Sequence, residues 1–176
     1  DLLLRIANTE KITLLGVSAK YIDTLRKTKK NYKNIYKFSK LRTICSTGSP
    51  LSEDSFNYIY KNIKTNLHLA SISGGTDIVS CFVLGNLYQS VYSGEIQSKG
   101  LGMDVRVFNE KGKSILNQKG ELVCVNPFPS IPLRFWNDPR DKKFKKAYFN
   151  KYKNIWHHGD YAKITNNKGF IIFGRS

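Results

Sequence analysis

Along KITLLGVSAKYIDTLRKT, beginning at Lys11, an apolar run gives way at Ser18 to apolar residues Tyr21, Ile22 and Leu25 at helical spacing. The pattern predicts a strand followed by a helix, with Ser18 as its N-cap. LRTICSTGSPLSEDSFNYIYKNIKTNLHLASIS then repeats the order. A short β-branched strand ends near Cys45, a Thr-Gly-Ser-Pro turn follows, and Ser52 caps a helix with Phe56, Ile59, Tyr60 and Ile63 on one face. A further strand leads into Ser71. Strand, helix and strand joined by short connections imply a right-handed βαβ unit with a parallel sheet. After about residue 85 the pattern changes to short alternating segments, SVYSGEIQ, GMDVRVFNEKGKSI and GELVCVNPF, punctuated by Gly and Asn. These predict an antiparallel or barrel-like β subdomain. Between Pro139 and Tyr152 the spacing predicts an amphipathic helix with Phe144, Ala147 and Tyr148 inward, and the last residues read as a hairpin around Asn-Asn-Lys-Gly. The expected class is therefore α/β: a βαβ part over 1–85 and a β-rich subdomain over 86–176, without internal repeat or linker.

Composition narrows this picture. At 176 residues and 40% hydrophobic content the chain can bury a sizeable core. No run approaches the roughly 18 apolar residues of a membrane span, and the order of a signal peptide is missing, so a soluble cytosolic location is the default expectation. Cys45, Cys81 and Cys124 are odd in number and far apart, and read as buried thiols rather than a disulfide framework or zinc site. The formal net charge of +16 would normally bring nucleic acid or an anionic membrane into view. The lysines, however, lie in separate segments with helically spaced aromatics between them, and no nucleic-acid-binding signature accompanies them. A lysine-rich solvated surface is the favoured reading, with a basic binding module as the rival.

SISGGTDIVS, Ser71 to Ser80, holds the most suggestive chemistry. It follows the strand that leads into Ser71, and ligands of such sheets collect at the carboxyl ends of the strands. STGSP sits at another such end. On residue type alone Thr76 and Asp77 suit an ordinary turn with a side-chain cap, and Gly74 and Gly75 suit positive φ. His157 and His158 are adjacent, so on a strand they face opposite sides and cannot chelate one ion; with His68 distant in sequence, all are read as structural. Ser46, Ser49 and Ser73 lie outside any nucleophile-elbow pattern.

The order of STGSPL, GGTD, WHHGDYA and GFIIFGRS resembles the successive nucleotide-binding motifs of the adenylate-forming acyl-CoA synthetases. The flanking stretches VYSGEIQSKGLGMDVRVFNEKGK and NPFPSIPLRFWNDP resemble the acetoacetyl-CoA synthetases in particular, over nearly the whole chain. The resemblance implies a part of the large AMP-binding domain. It implies formation of an acyl-adenylate from a carboxylate and ATP, transfer of the acyl group to coenzyme A, Mg²⁺ as the accompanying ion, and acetoacetate as the acid, returning ketone-body carbon to lipid synthesis. Another short acid in the same superfamily is the nearest alternative.

By the same resemblance Gly48, Ser49 and Pro50 lie along adenine, and Asp160 accepts hydrogen bonds from the ribose hydroxyls with Arg175 as the second ribose contact. Thr76 lies near the phosphates. Asp77, where relatives commonly carry Glu, holds Mg²⁺ as a hard oxygen ligand. Gly74 stands where acetyl-CoA synthetases carry a bulky Trp, so with Gly75 it is expected to leave room for a longer acyl group. The resemblance also implies a phosphate loop ahead of this stretch and a small domain bearing a catalytic Lys after it. Nothing before Lys11 resembles that loop, and the sequence stops at FGRS. The chain is therefore expected to be an incomplete portion that catalyses neither half-reaction alone. Oligomeric state is not legible here.

Overall fold

The computed structural model describes residues 1–176, in two compact units. The first comprises Asp1–Ile72 and Gly85–Gln97, the second Ser73–Leu84 and Ser98–Ser176. The sequence places its change of character near residue 85; the chain in fact leaves the first unit after Ile72, returns at Gly85 and leaves again after Gln97.

The first unit holds the parallel sheet. Helix α1 (Leu2–Thr9), which the sequence reading did not assign, buries Leu4 and Ala7. Strands β1 (Leu14–Ser18), β2 (Thr43–Thr47) and β3 (His68–Ser71) lie side by side in that order, with Leu14 opposite Thr43 and Thr43 opposite His68. Helix α2 (Ala19–Lys27) begins where Ser18 Oγ accepts the Tyr21 N–H at 3.1 Å. Helix α3 (Glu53–Asn62) begins where Ser52 Oγ accepts the Ser55 N–H at 3.3 Å. Each cap satisfies a backbone donor that has no intrahelical partner. The helices bury Ile22, Leu25, Phe56 and Ile59, which cluster with Ile44 and Leu69 of the strands, each such side chain contributing about 1.5–3 kcal/mol by leaving water.

SVYSGEIQ, expected as a strand, is a loop. It turns where the Glu95 N–H donates to the Tyr92 carbonyl at 3.1 Å, and its last residue ties down the backbone just ahead of it. The buried Gln97 amide donates to the Asn86 carbonyl at 2.8 Å and the Gln89 carbonyl at 2.7 Å, while its oxygen accepts the Asn86 N–H at 3.0 Å and faces His68 Nε2 at 2.7 Å.

The second unit consists of two antiparallel sheets. One joins β4 (Ser73–Gly75), β5 (Ser80–Leu84) and the two-residue β6 (Ser98–Lys99). The other is a four-stranded meander of β7 (Val105–Phe108), β8 (Gly120–Cys124), β9 (Trp156–Ile164) and β10 (Phe170–Arg175). Helix α4 covers Lys142–Tyr148, shorter than the expected span. Arg140 and Asp141 have left-handed backbones, at φ 64° and 56°, and cannot belong to it. The buried Asp138 carboxylate accepts the N–H groups of Lys143 and Phe144 at 2.9 and 2.8 Å. Beyond the helix, Tyr152 packs edge-on against Phe108 and donates to the Asn109 carbonyl at 3.1 Å, which draws the chain off the helical path. Phe82, Phe128, Phe144 and Trp156 form the aromatic core of the unit. No helix in the chain is long and apolar enough to cross a membrane.

Candidate functional site

The second unit contains a cavity of about 480 Å³, a size in the range of small-molecule sites. Gly74 and Gly75 of β4, Asp77 of the 3-10 turn Thr76–Ile78, Ala147 and Tyr148 of α4, His157, His158 and Gly159 of β9, and Arg175 and Ser176 line it. Four residues singled out in the sequence, Gly74, Gly75, Asp77 and Arg175, thus meet around one space.

Both glycines stand in close approach, Gly74 to backbone and Gly75 to side chains. Gly75 has φ −146°, and neither Gly74 nor Gly75 adopts the positive φ considered from the sequence. A Cβ on Gly74 would lie 2.1 Å from the Ser80 carbonyl oxygen of the paired strand. A Cβ on Gly75 would lie 2.0 Å from Asp77 Oδ1 and 3.1 Å from His158 Cε1. Main chain alone therefore forms this part of the wall.

Asp77 is exposed, and both of its oxygens are engaged. Oδ1 accepts the Ile78 N–H at 3.1 Å, and Oδ2 accepts the Tyr148 hydroxyl at 2.6 Å. Burial and the neighbouring Asp77 carboxylate push the Tyr148 phenol well above its ordinary range, so it stays a donor. No group of three or more His, Cys, Asp or Glu is arranged to hold a metal ion. A single exposed carboxylate suits a hard cation whose other ligands are phosphate oxygens and water, rather than an all-protein cage. The Thr76 side chain is exposed and outside the cavity lining.

Asp160 is buried behind the lining residues. Its Oδ1 accepts Arg175 Nη1 at 3.1 Å, and its Oδ2 stands 3.6 Å from His158 Nε2. Alternation along β9 puts Asp160 and His158 on one face, with Trp156. His158 Nε2 also lies 3.4 Å from the Gly74 carbonyl, its ring meets Phe82 edge-on at 4.8 Å, and its Nδ1 is buried without a partner. Burial holds the imidazole below its ordinary pKa despite the carboxylates nearby. His157 points the other way, to Glu121 Oε2 at 2.9 Å. Burial opposes the charge of Glu121, but hydrogen bonds from Lys151 and His157 outweigh it and hold the carboxyl below the usual range.

Gly48, Ser49 and Pro50 belong to the first unit, in the exposed loop between β2 and α3, where Gly48 has φ +86°. Sequence reasoning did not place His158 and Tyr148 at the cavity, which both of them line. The signal for His158 was its i, i+2 relation to Asp160 on a strand. Tyr148 was read as core, and its polar tip was the overlooked part.

No family model matches the chain. It is 50% identical over 176 residues to the acetoacetyl-coenzyme A synthetase of Rhizobium meliloti (strain 1021), covering 100% of this chain and 27% of that protein. It is 47% identical over 166 residues to the acetoacetyl-CoA synthetase of Xenopus tropicalis, covering 94% of this chain and 25% of that protein. A solved structure of acetoacetyl-CoA synthetase from Streptomyces lividans superposes with a TM-score of 0.92 at 37% identity, over 100% of this chain and 28% of that one. The chain thus spans about a quarter of the length of the relatives it matches.

Proposed function

We propose that the complete protein carrying this chain is an ATP-dependent acetoacetate:CoA ligase; what supports it is the similarity of the chain, over its whole length, to acetoacetyl-CoA synthetases. In the first step a carboxylate oxygen of the acid attacks the α-phosphorus of ATP, and the bond to the bridging oxygen breaks to release pyrophosphate. In the second, the thiolate of coenzyme A attacks the acyl carbonyl, and AMP leaves. Both steps bring anions together, so the site must hold them in line and neutralise charge.

The observation that supports the reading most is the convergence of Gly74, Gly75, Asp77 and Arg175 on one cavity, with Arg175 paired to the buried Asp160. Asp160, acceptor-only when ionised, would take the ribose hydroxyls, and Arg175 would sit beside the same sugar. Thr76 would offer its hydroxyl to the phosphates, and Gly48, Ser49 and Pro50 would lie along the adenine. Asp77 would be the protein ligand of Mg²⁺, which when bound lowers the charge of the phosphates. The main-chain wall at Gly74 and Gly75 would leave space for an acid longer than acetate.

The test is acid-dependent pyrophosphate exchange by the full-length protein with acetoacetate, acetate and butyrate. The expected result is the highest kcat/KM for acetoacetate. Preference for acetate, or exchange with none of them, overturns the reading.

A further inference from the structure

Tyr148 ends α4, and Asp77 lies 71 residues earlier in the chain, yet the tyrosine hydroxyl donates to Asp77 Oδ2 at 2.6 Å. We propose that Tyr148 is a positioning residue, whose hydroxyl aims the Asp77 carboxylate into the cavity and whose own ring is fixed by Trp156. This rests on the reading of Asp77 as the ligand of the nucleotide-bound cation.

An exposed aspartate is free to sample several rotamers, and a ligand that must be found anew at each binding event binds its ion less well. Here the carboxylate is restrained from three sides. The Ile78 N–H holds Oδ1 at 3.1 Å, Tyr148 holds Oδ2, and the space taken by Oδ1 is the space that the missing Cβ of Gly75 leaves open. Each oxygen keeps a lone pair for a cation.

The tyrosine is itself immobilised. Its ring stacks on Trp156 at 3.7 Å and 15°, and meets the edges of Phe144 at 5.5 Å and Phe135 at 5.7 Å. Trp156 is buried in the aromatic core and opens β9, the strand that carries His158 and Asp160. The start of α4 is anchored by the Asp138 carboxylate on the N–H groups of Lys143 and Phe144. A phenylalanine would satisfy every one of the ring contacts. The hydroxyl is what packing alone does not explain, and its partner is Asp77.

Tyr148→Phe in the full-length protein removes that hydroxyl and keeps the ring. Calorimetric titration with Mg·ATP, repeated with ATP in EDTA, reads its effect, and the denaturation midpoint reads the fold. The expected result is about tenfold weaker Mg·ATP binding, the scale of one charge-assisted hydrogen bond, with ATP binding in EDTA unchanged and the midpoint lowered only slightly, by the loss of that one bond. In an Asp77→Asn background, Tyr148→Phe should cost nothing further, because its action passes through the carboxylate. Tyr148→Ala should lose both binding and stability. If Asp77→Asn weakens Mg·ATP binding and Tyr148→Phe does not, the inference is overturned and the reading of Asp77 stands. Equal weakening by Tyr148→Phe with and without Mg²⁺ also overturns it, since the tyrosine would then act on the nucleotide directly. If Asp77→Asn leaves Mg·ATP binding intact, the reading of Asp77 fails and the inference falls with it.

Discussion

Adding one methyl group at either of two adjacent glycines should have opposite consequences. At Gly74 the new Cβ lies 2.1 Å from the Ser80 carbonyl oxygen and 2.5 Å from Cys81 Cα. A carbon approaches a carbonyl oxygen comfortably at about 3.3 Å, so β4 and β5 must part by about 1 Å. Backbone cannot swing aside as a side chain can. The cost is that of overpacking, about 1–3 kcal/mol. At Gly75 the Cβ meets Asp77 Oδ1 at 2.0 Å, the tip of an exposed side chain that can rotate into water, and His158 Cε1 at 3.1 Å, from which the ring need withdraw only a few tenths of an ångström. The backbone there, φ −146° and ψ 148°, suits alanine, and losing a glycine restricts the unfolded chain by about 0.4–1 kcal/mol. The displaced carboxylate gives up its bond to Tyr148, and because Asp77 faces solvent the net loss is about 1 kcal/mol. The two terms nearly cancel. Gly75→Ala is therefore expected to unfold in urea within about 1 kcal/mol of the parent protein yet bind Mg·ATP about tenfold more weakly, whereas Gly74→Ala loses stability first. Urea midpoints and calorimetry on the two full-length variants decide it. A Gly75→Ala protein as unstable as Gly74→Ala, or one that binds Mg·ATP normally, would refute the reasoning. Gly74→Trp, which by resemblance would fill an acyl pocket, must likewise displace the Ser80 carbonyl, so it reports on strand pairing as well as on pocket volume.

Two further outcomes follow from the charged groups. Glu121 is depressed in the folded state, so its stabilisation is present above the ordinary glutamate range of about 4.3 and is lost as pH falls through its lower folded value. Lys151 is half exposed, which limits the effect: between pH 5 and pH 3 the parent should lose about 1 kcal/mol that Glu121→Gln does not, read as converging urea midpoints, and parallel midpoints would contradict the assignment. Asp160→Asn should change stability by less than about 1 kcal/mol, since Arg175 is largely exposed, but weaken ATP binding about tenfold in calorimetry while leaving the KM for the acid alone; unaltered ATP affinity would remove Asp160 from the nucleotide site.

Local chemistry was the most legible part of the sequence. Ser18 and Ser52 announced their helices because a cap is made between residues three apart. The parallel order of β1, β2 and β3 followed from short connections. SVYSGEIQ was misread because alternation reports which side chains are buried, not what satisfies the backbone; there the chain turns on itself through the Glu95 N–H and the Tyr92 carbonyl. The motif residues around the cavity were legible through resemblance, and close approach was not, so positive φ was considered for Gly74 and Gly75 when the paired strand crowds the first and the Asp77 side chain the second. Tyr148 escaped because helical spacing assigns a whole residue to the interior, while a tyrosine divides between an apolar ring and a polar end.

The path of the chain through its two units has a consequence for any attempt to move the site. Residues 73–84, which carry Thr76 and Asp77, are separated from the rest of their unit by the Gly85–Gln97 excursion that belongs to the other. Neither unit is a continuous stretch. A single crossover between homologous genes anywhere from residue 78 to residue 159 takes Asp77 from one parent and Asp160 and Arg175 from the other, and one inside residues 73–84 also divides the β4–β5 hairpin. Functional chimaeras should therefore join ahead of residue 73, so that residues 73–176 are inherited together although part of that stretch folds with the other unit.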